Sequence, residues 1–231
     1  MNGILIYSKE EAKRNAFAAE KIISQLEIPL VFDDEINYSA DIDFAVNRTN
    51  NAEIARRLEE KGVRVFNPYS LTLLANNKQK CYEFMEKNGI EIMPINKKTA
   101  PVVEKPCGGK GGRGVSLILN DGFEIKEDCV YQEPASDLGR DLRVWLIGGK
   151  IITGILRVSK NDFRSNFCLG GEAYPYVLSE QERALAGKIA SLLTYDYIGI
   201  DFVFNKGRIV FNEIEDAVGA RTVYEKQILI Y

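Results

Sequence analysis

The chain opens on an apolar run, Gly3 to Tyr7, bounded by polar residues, which predicts a buried strand. From about Glu10 the spacing changes. Ala12, Ala16, Ala19, Ile23 and Leu26 recur at helical intervals and predict one amphipathic helix with these residues inward. Asp43 to Val46 predicts a second strand, and Asn51 to Lys61 a helix stopped by Gly62. Val63 to Phe66 predicts a third strand, closed by a turn at Asn67-Pro68. Strands alternating with helices predict a parallel sheet with covered faces, and hence a small α/β lobe over residues 1–75.

A helix from about Asn77 to Asn88 ends at Gly89, and beyond it the apolar period shortens to two. Val102-Val103 enters a glycine-rich stretch, Val115 to Leu119 leaves it, and Val130 to Gln132 forms a strand ended by Pro134. Arg143 to Ile147 and Ile151 to Val158 flank Gly148-Gly149 as a hairpin. A helix over about Ser179 to Leu193 turns Leu185, Ile189, Leu192 and Leu193 inward, and IGIDFVF with IVFNEIE makes a last hairpin about Asn205 to Arg208. The class is therefore α/β plus α+β. A linking helix and a short glycine-rich lid occupy 76–134, and an antiparallel lobe occupies 135–231.

Composition narrows the chemistry. The 231 residues are 45% hydrophobic and 27% charged, as in soluble globular proteins. A net charge of -3 gives no case for nucleic acid or an anionic membrane surface. No apolar run reaches the roughly 20 residues of a membrane span, and Met1 to Tyr7 lacks the pattern of a signal peptide. Cys81, Cys107, Cys129 and Cys168 are scattered, which fits reduced thiols and a cytoplasmic location. Histidine is absent, which excludes Ser-His-Asp and Cys-His catalysis and His-ligated metals. Carboxylates, lysines, arginines and a hard cation remain. Phosphoryl transfer works with that set, by positioning and charge stabilisation.

Two segments carry that chemistry. Lys105 to Gly114 (KPCGGKGGRG) places five glycines, Gly108, Gly109, Gly111, Gly112 and Gly114, between two apolar strands. Gly109, Gly111 and Gly114 satisfy GxGxxG, but a strand follows where a dinucleotide site needs a helix, and no Lys-Ser/Thr pair makes a Walker loop. Strand, glycine turn and strand predict a flap whose backbone approaches phosphates, with Lys110 and Arg113 charging its tip. A flexible hairpin turn is the plain alternative; the interleaved cations favour phosphate.

The other segment is the last hairpin. Strand period puts Glu213 and Glu215 on one face, with Asp201 opposite Asn212 or Glu213 depending on turn length. Three carboxylates among Ile, Phe and Val repel one another unless a cation lies between them, and Mg²⁺ suits the set. A solvated strand face is the ordinary explanation of alternating acids, but it predicts Lys, Thr or Ser among them. Elsewhere, Gln132-Glu133-Pro134 exits a strand where backbone groups can meet an adenine edge. Arg157, Arg164 and Asn166 follow the glycine-turn hairpin, and Lys78 sits against the dipole of its helix. Arg221 is balanced between a substrate carboxylate and Glu225 one turn on, and Trp145 and the tyrosines read as core.

In this order the segments resemble the RimK-like branch of the ATP-grasp superfamily, from NNKQKCYEFMEKNGI to EIEDAVG. The resemblance implies that Lys78, Lys105 and the lid glycines Gly108, Gly109, Gly111 and Gly112 meet nucleotide phosphates. Gln132, Glu133 and Pro134 fall at the adenine hinge and Asp141 on the ribose. Arg164, Ser165 and Asn166 (DFRSN) meet ATP phosphates, with Arg164 and Arg157 catalytic, and Arg157 steadying an acyl-phosphate. Asp201, Glu213 and Glu215 hold Mg²⁺, with Mn²⁺ as the other acceptable ion. Glu215 stands where the family has Asn, and the short linkers imply a small lid. The implied activity is ATP-dependent joining of a small-molecule or peptide carboxylate to an amine, with no nucleic-acid or membrane partner and the oligomeric state open. Rivals are a nucleotide-binding regulatory protein with a decayed site and a phosphotransferase using the same ATP site.

Overall fold

A computed structural model describes residues 1–109, 111–165, 171–219 and 221–225, the side chains of 221 and 225 excepted. Strands β1 (Gly3–Tyr7), β2 (Leu30–Phe32), β3 (Phe44–Asn47) and β4 (Arg64–Phe66) form a parallel sheet in the order β2-β1-β3-β4. Every residue of β1 is buried, because apolar clusters cover both faces. The helix expected from Glu10 is two helices, α1 (Lys9–Arg14) and α2 (Ala16–Leu26), broken at Asn15. The Asn15 amide donates to the Glu11 carbonyl at 2.9 Å, a local bond that competes with helix propagation. Ala19 stays buried, but Leu26, expected inward, is 49% exposed. Helix α3 (Ala52–Glu59) starts at an Asn51 cap. Strand β2 and helix α4 (Tyr69–Ala75) are additions, each too short for its period to register in the sequence.

Helix α5 (Lys78–Lys87) leads into a three-stranded antiparallel lid of β5 (Val102–Pro106), β6 (Ser116–Ile118) and β7 (Cys129–Gln132), in the order β6-β5-β7. A five-stranded antiparallel sheet follows. It contains β8 (Arg140–Ile147), β9 (Lys150–Val158), β10 (Glu172–Tyr176), β11 (Tyr197–Asn205) and β12 (Arg208–Glu215), in the order β10-β9-β8-β11-β12. Helix α6 (Glu180–Ser191), started by a Ser179–Glu182 capping box, covers one face, and the short α7 (Arg221–Glu225) ends the described chain. No helix among the described residues is long and apolar enough to cross a membrane.

The sheet sorts its residues by strand period. Leu142, Ile200, Phe202, Phe211 and Ile214 face α5 and α6, packing with Tyr82, Met85, Ala186 and Ile189. The alternating positions Asp141, Arg143, Arg157 and Asp201 turn to the other face and stay buried there. Phe211 and Ile214 are an odd number apart, yet both reach the core. A bulge between Asp201 and Phe202 makes this fit: Phe202 pairs with Phe211 but Asp201 pairs with Glu213. The extra residue, Asn212, is thereby turned toward the charged face along with Glu213. Among the tyrosines expected inside, Tyr7 and Tyr82 are buried, but Tyr174 and Tyr224 are exposed at the surface.

Candidate active site

Strand β8 begins three residues before the predicted start, which brings Asp141 into the ladder opposite Arg157 on β9; Arg143 lies opposite Asp201 on β11. Side chains facing each other across strands form two bidentate forks. Arg143 donates through Nε and Nη2 to Asp201 at 2.6 and 2.7 Å, and Nη2 also reaches Glu215 at 2.9 Å. Arg157 donates to Asp141 at 2.6 and 2.7 Å and, from Nη2, to Asp201 at 2.7 Å. Asp201 is wholly buried. Burial by itself would raise its carboxyl, but Arg143 and then Arg157 outweigh that and hold it down to about 2. Burial pushes Asp141 up against the pull of Arg157. Glu215 is pushed up to about 7: burial raises it, Arg143 draws it back, and Glu213 and Asp201 raise it again.

Asp201, Glu213 and Glu215 each present a carboxylate oxygen, all within 4.8 Å of one another. That donor set fits a hard divalent cation. The carboxyl of Glu215, held near neutrality, marks a cluster short of positive charge. The arginines, not foreseen as partners of these acids, supply part of the charge that the sequence assigned wholly to a metal. A direct consequence concerns pH. Mg²⁺ affinity is expected to rise about tenfold per unit as pH climbs toward 7, then level off, since the cation must displace the Glu215 proton. Glu215→Gln should flatten the profile in a metal titration. Without metal, this raised carboxyl favours the fold at low pH, and the contribution is lost between its ordinary 4.5 and about 7.

Across the cleft, Lys105 on β5 donates only to neutral partners: Gln132 Oε1 at 2.6 Å, Asn212 Oδ1 at 2.8 Å and the Tyr82 hydroxyl at 3.2 Å. Burial drives its ammonium down to about 8, with Glu213 pulling it back up and Lys78 lowering it further. Lys78 donates to the Gly109 carbonyl at 2.6 Å and lies 3.5 Å from Glu213, which accounts for a cation opening helix α5. Arg164 pairs with Asp162 at 2.7 Å and donates to the lid carbonyls of Gly112 and Val115 at 3.0 and 3.4 Å. The cations therefore meet lid carbonyls where the sequence anticipated backbone N–H groups meeting phosphate. Gly111 and Gly112 have φ values of 65° and 73°, the left-handed region that a compact glycine turn needs.

Lys78, Lys105, Gly109, Gly112, Gln132, Glu133, Pro134, Asp141, Arg164 and Ser165 all line one cleft. Glu213 is the member of the acid cluster that lines it; Asp201, Glu215 and Arg157 do not, and neither do Gly108 and Gly111. The Gln132 side chain accepts from Lys105 and donates to the Met93 carbonyl at 3.0 Å, so it holds the lysine beside the cleft. The Glu133 amide is likewise taken, by the Pro94 carbonyl at 2.8 Å. Lys110, Asn166, Cys168 and the side chains of Arg221 and Glu225 lie outside the described residues.

Arg143, Asn212 and Tyr82 belong to the site and were missed. Arg143 had a signal, since it stands two residues after Asp141 and so on the same strand face. Asn212 had none, because its orientation depends on the bulge. Four acids (Asp141, Asp201, Glu213 and Glu215) pair with three cations (Lys78, Arg143 and Arg157), while Lys105 stands nearby on neutral partners.

A three-stranded lid and an antiparallel sheet that close on such a cleft, preceded by a parallel lobe, define the ATP-grasp class of ligases. D-alanine–D-alanine ligase from Bacillus anthracis, complexed with ATP, shares the fold with a TM-score of 0.72 at 14% identity, over 98% of this chain and 92% of that one. The RimK-like ATP-grasp domain matches residues 69–230, and the chain belongs to that family. Alpha-aminoadipate–LysW ligase LysX of Saccharolobus solfataricus is 29% identical over 86% of this chain and 82% of its own length. An uncharacterised protein of Mycoplasma genitalium is 28% identical over 96% of this chain and 86% of its own.

Proposed function

We propose that the protein is an ATP- and Mg²⁺-dependent carboxylate–amine ligase that forms an amide through an acyl-phosphate. The observation that carries this is the meeting, in one cleft under the glycine lid, of Lys78, Lys105 and Arg164 with the acid cluster led by Glu213. A relative named for ligation of α-aminoadipate supports an amino acid or peptide as one substrate.

In this mechanism a substrate carboxylate oxygen attacks the γ-phosphorus of ATP, the bond to the β,γ-bridging oxygen breaks, and ADP departs. The amine nitrogen then attacks the acyl carbon, inorganic phosphate leaves, and the nitrogen loses a proton. Lys78, Lys105 and Arg164 bind the phosphates and offset the charge that develops on them. The lid excludes water, which would hydrolyse the acyl-phosphate. Asp201, Glu213 and Glu215 are the residues that would hold Mg²⁺, which when bound neutralises the β- and γ-phosphate oxygens. Arg143 and Arg157 keep Asp201 ionised and in place.

Hydroxylamine trapping tests the proposal. With MgATP and a pool of amino acids and small peptides, the protein should release ADP and yield a hydroxamate, and without hydroxylamine an amide detectable by mass spectrometry. A stable phosphorylated product with no amide would point to a phosphotransferase. Nucleotide binding with no ADP release at all would reduce the chain to a binding protein.

A further inference from the structure

We infer that Arg48 and Tyr7 form an anchor for a second, unreacting carboxylate of a substrate, at the carboxyl ends of β1 and β3. The inference rests on the ligase reading above and names the chemistry of one substrate. In the order β2-β1-β3-β4 the connections leave in opposite directions from β1 and β3, and open parallel sheets bind ligands at the carboxyl ends of the strands at such a switch point. Tyr7 is the last residue of β1, and Arg48 directly follows β3.

Tyr7 and Arg48 are both buried, at 2% and 8% exposure. Arg48 donates through Nη2 to the Val218 carbonyl at 2.6 Å and through Nε to the Tyr7 hydroxyl at 3.4 Å; Nη1 has no partner among the described residues. The Tyr7 oxygen accepts that bond, and its own hydrogen meets no acceptor there. Arg48 lies 5.3 Å over the Tyr197 ring, and Trp145, whose Nε1 is also buried without an acceptor, lies against the same ring. No carboxylate pairs with Arg48 among the described residues. The oxygens of Asp216, whose charge it feels, accept instead from Asn50 at 2.6 Å and Asn76 at 3.1 Å. A largely buried guanidinium that pairs with no acid among the described residues and keeps one nitrogen without a partner is an arrangement that an anion completes.

The place suits a substrate of this reaction. Val218 follows β12 by three residues, and its side chain packs onto Gly199, where an added Cβ would come within 2.8 Å of it. Gly199 pairs with Glu215 across β11 and β12. The anchor is thus three contacts from the acid cluster, through Val218 and Gly199, while the phosphate-facing cations Lys78, Lys105 and Arg164 stand on the lid side. The ligand class that follows is a small molecule with two carboxylates, one activated and one gripped, or an amino acid whose α-carboxylate is gripped while its amine reacts.

L-glutamate and its two monoamides, L-glutamine and L-isoglutamine, separate these sources. Calorimetric titration into the full chain with Mg²⁺ and a non-hydrolysable ATP analogue should show L-glutamate preferred over at least one monoamide by about tenfold. Loss of preference on amidating the α-carboxylate identifies that group as the one gripped; loss on amidating the side chain identifies the other. Arg48→Met should abolish the preference, Arg48→Lys should restore part of it, and Tyr7→Phe should weaken it about threefold. Arg48 as a mere strut between lobes predicts a lower Tm with discrimination intact, and that result overturns the inference. So does a wild-type protein that shows no preference. Tyr7→Phe, which removes one hydroxyl, keeps the test decisive if Arg48→Met does not fold. Because binding is read without turnover, a protein that grips carboxylate but makes no amide defeats the ligase reading alone.

Discussion

Asp201→Asn is expected to stop ADP formation and, unlike an ordinary active-site change, to cost the fold about 3–5 kcal/mol. Asp201 is fully buried and accepts three charge-assisted bonds, two from Arg143 and one from Arg157. An amide leaves both guanidiniums with less than their matching charge in a dry environment, and this uncompensated charge dominates the loss. For a chain of this size the cost corresponds to a fall in Tm of roughly 10 °C. A double-variant cycle isolates the cause. Adding Arg143→Met to Asp201→Asn removes one stranded charge and should recover part of the lost Tm without recovering activity. An Asp201→Asn protein with the wild-type Tm and wild-type ADP release would remove this residue from both roles.

Lys105→Met is expected to have the opposite pattern: ADP formation down by about a hundredfold or more, with Tm unchanged or raised. Lys105 is buried, with its three bonds going to the neutral Gln132, Asn212 and Tyr82 oxygens. Its charge is held at a cost that only an anionic ligand repays, and methionine of similar volume escapes that cost. The pH dependence carries the same signature. In the folded chain the ammonium titrates at about 8 against an ordinary 10.5, so between these values the folded state holds fewer protons than the unfolded one. Stability therefore rises with pH through this window. Nucleotide affinity, which needs the charged form, should fall as pH rises past 8. Lys105→Arg, ionised throughout, should lose that fall, and a wild-type affinity flat from pH 7 to 10 would count against a phosphate role.

The parts of the site carried by local sequence were legible. The glycine lid and the alternation of Glu213 and Glu215 announce themselves through spacing, because glycine freedom and strand period act within a few residues, whereas Lys105 came with the family resemblance and Lys78 with its place at the start of a helix. The short elements were not. The three-residue β2 and the seven-residue α4 are stabilised by packing more than by propensity, and the break at Asn15 is one hydrogen bond that no periodicity reports. The side-chain bonds of Gln132 to Lys105 and to the Met93 carbonyl had no signal either, because a position at a strand exit says nothing of where the amide points.

The chain by itself therefore determined the reaction class: no histidine, a phosphate-ready glycine turn, and acids on apolar strands leave few alternatives to nucleotide and hard-cation chemistry. Tertiary structure alone decided how those charges are kept. Two arginines from β8 and β9 reach Asp201 only because antiparallel register sets them opposite it, and one bulge turns Asn212 and Glu213 toward the cleft while Phe211 and Ile214 keep the core. Register and bulge position follow from the packing of both faces of the sheet at once. Residues distant in sequence must meet before either is defined, so no local pattern can encode them.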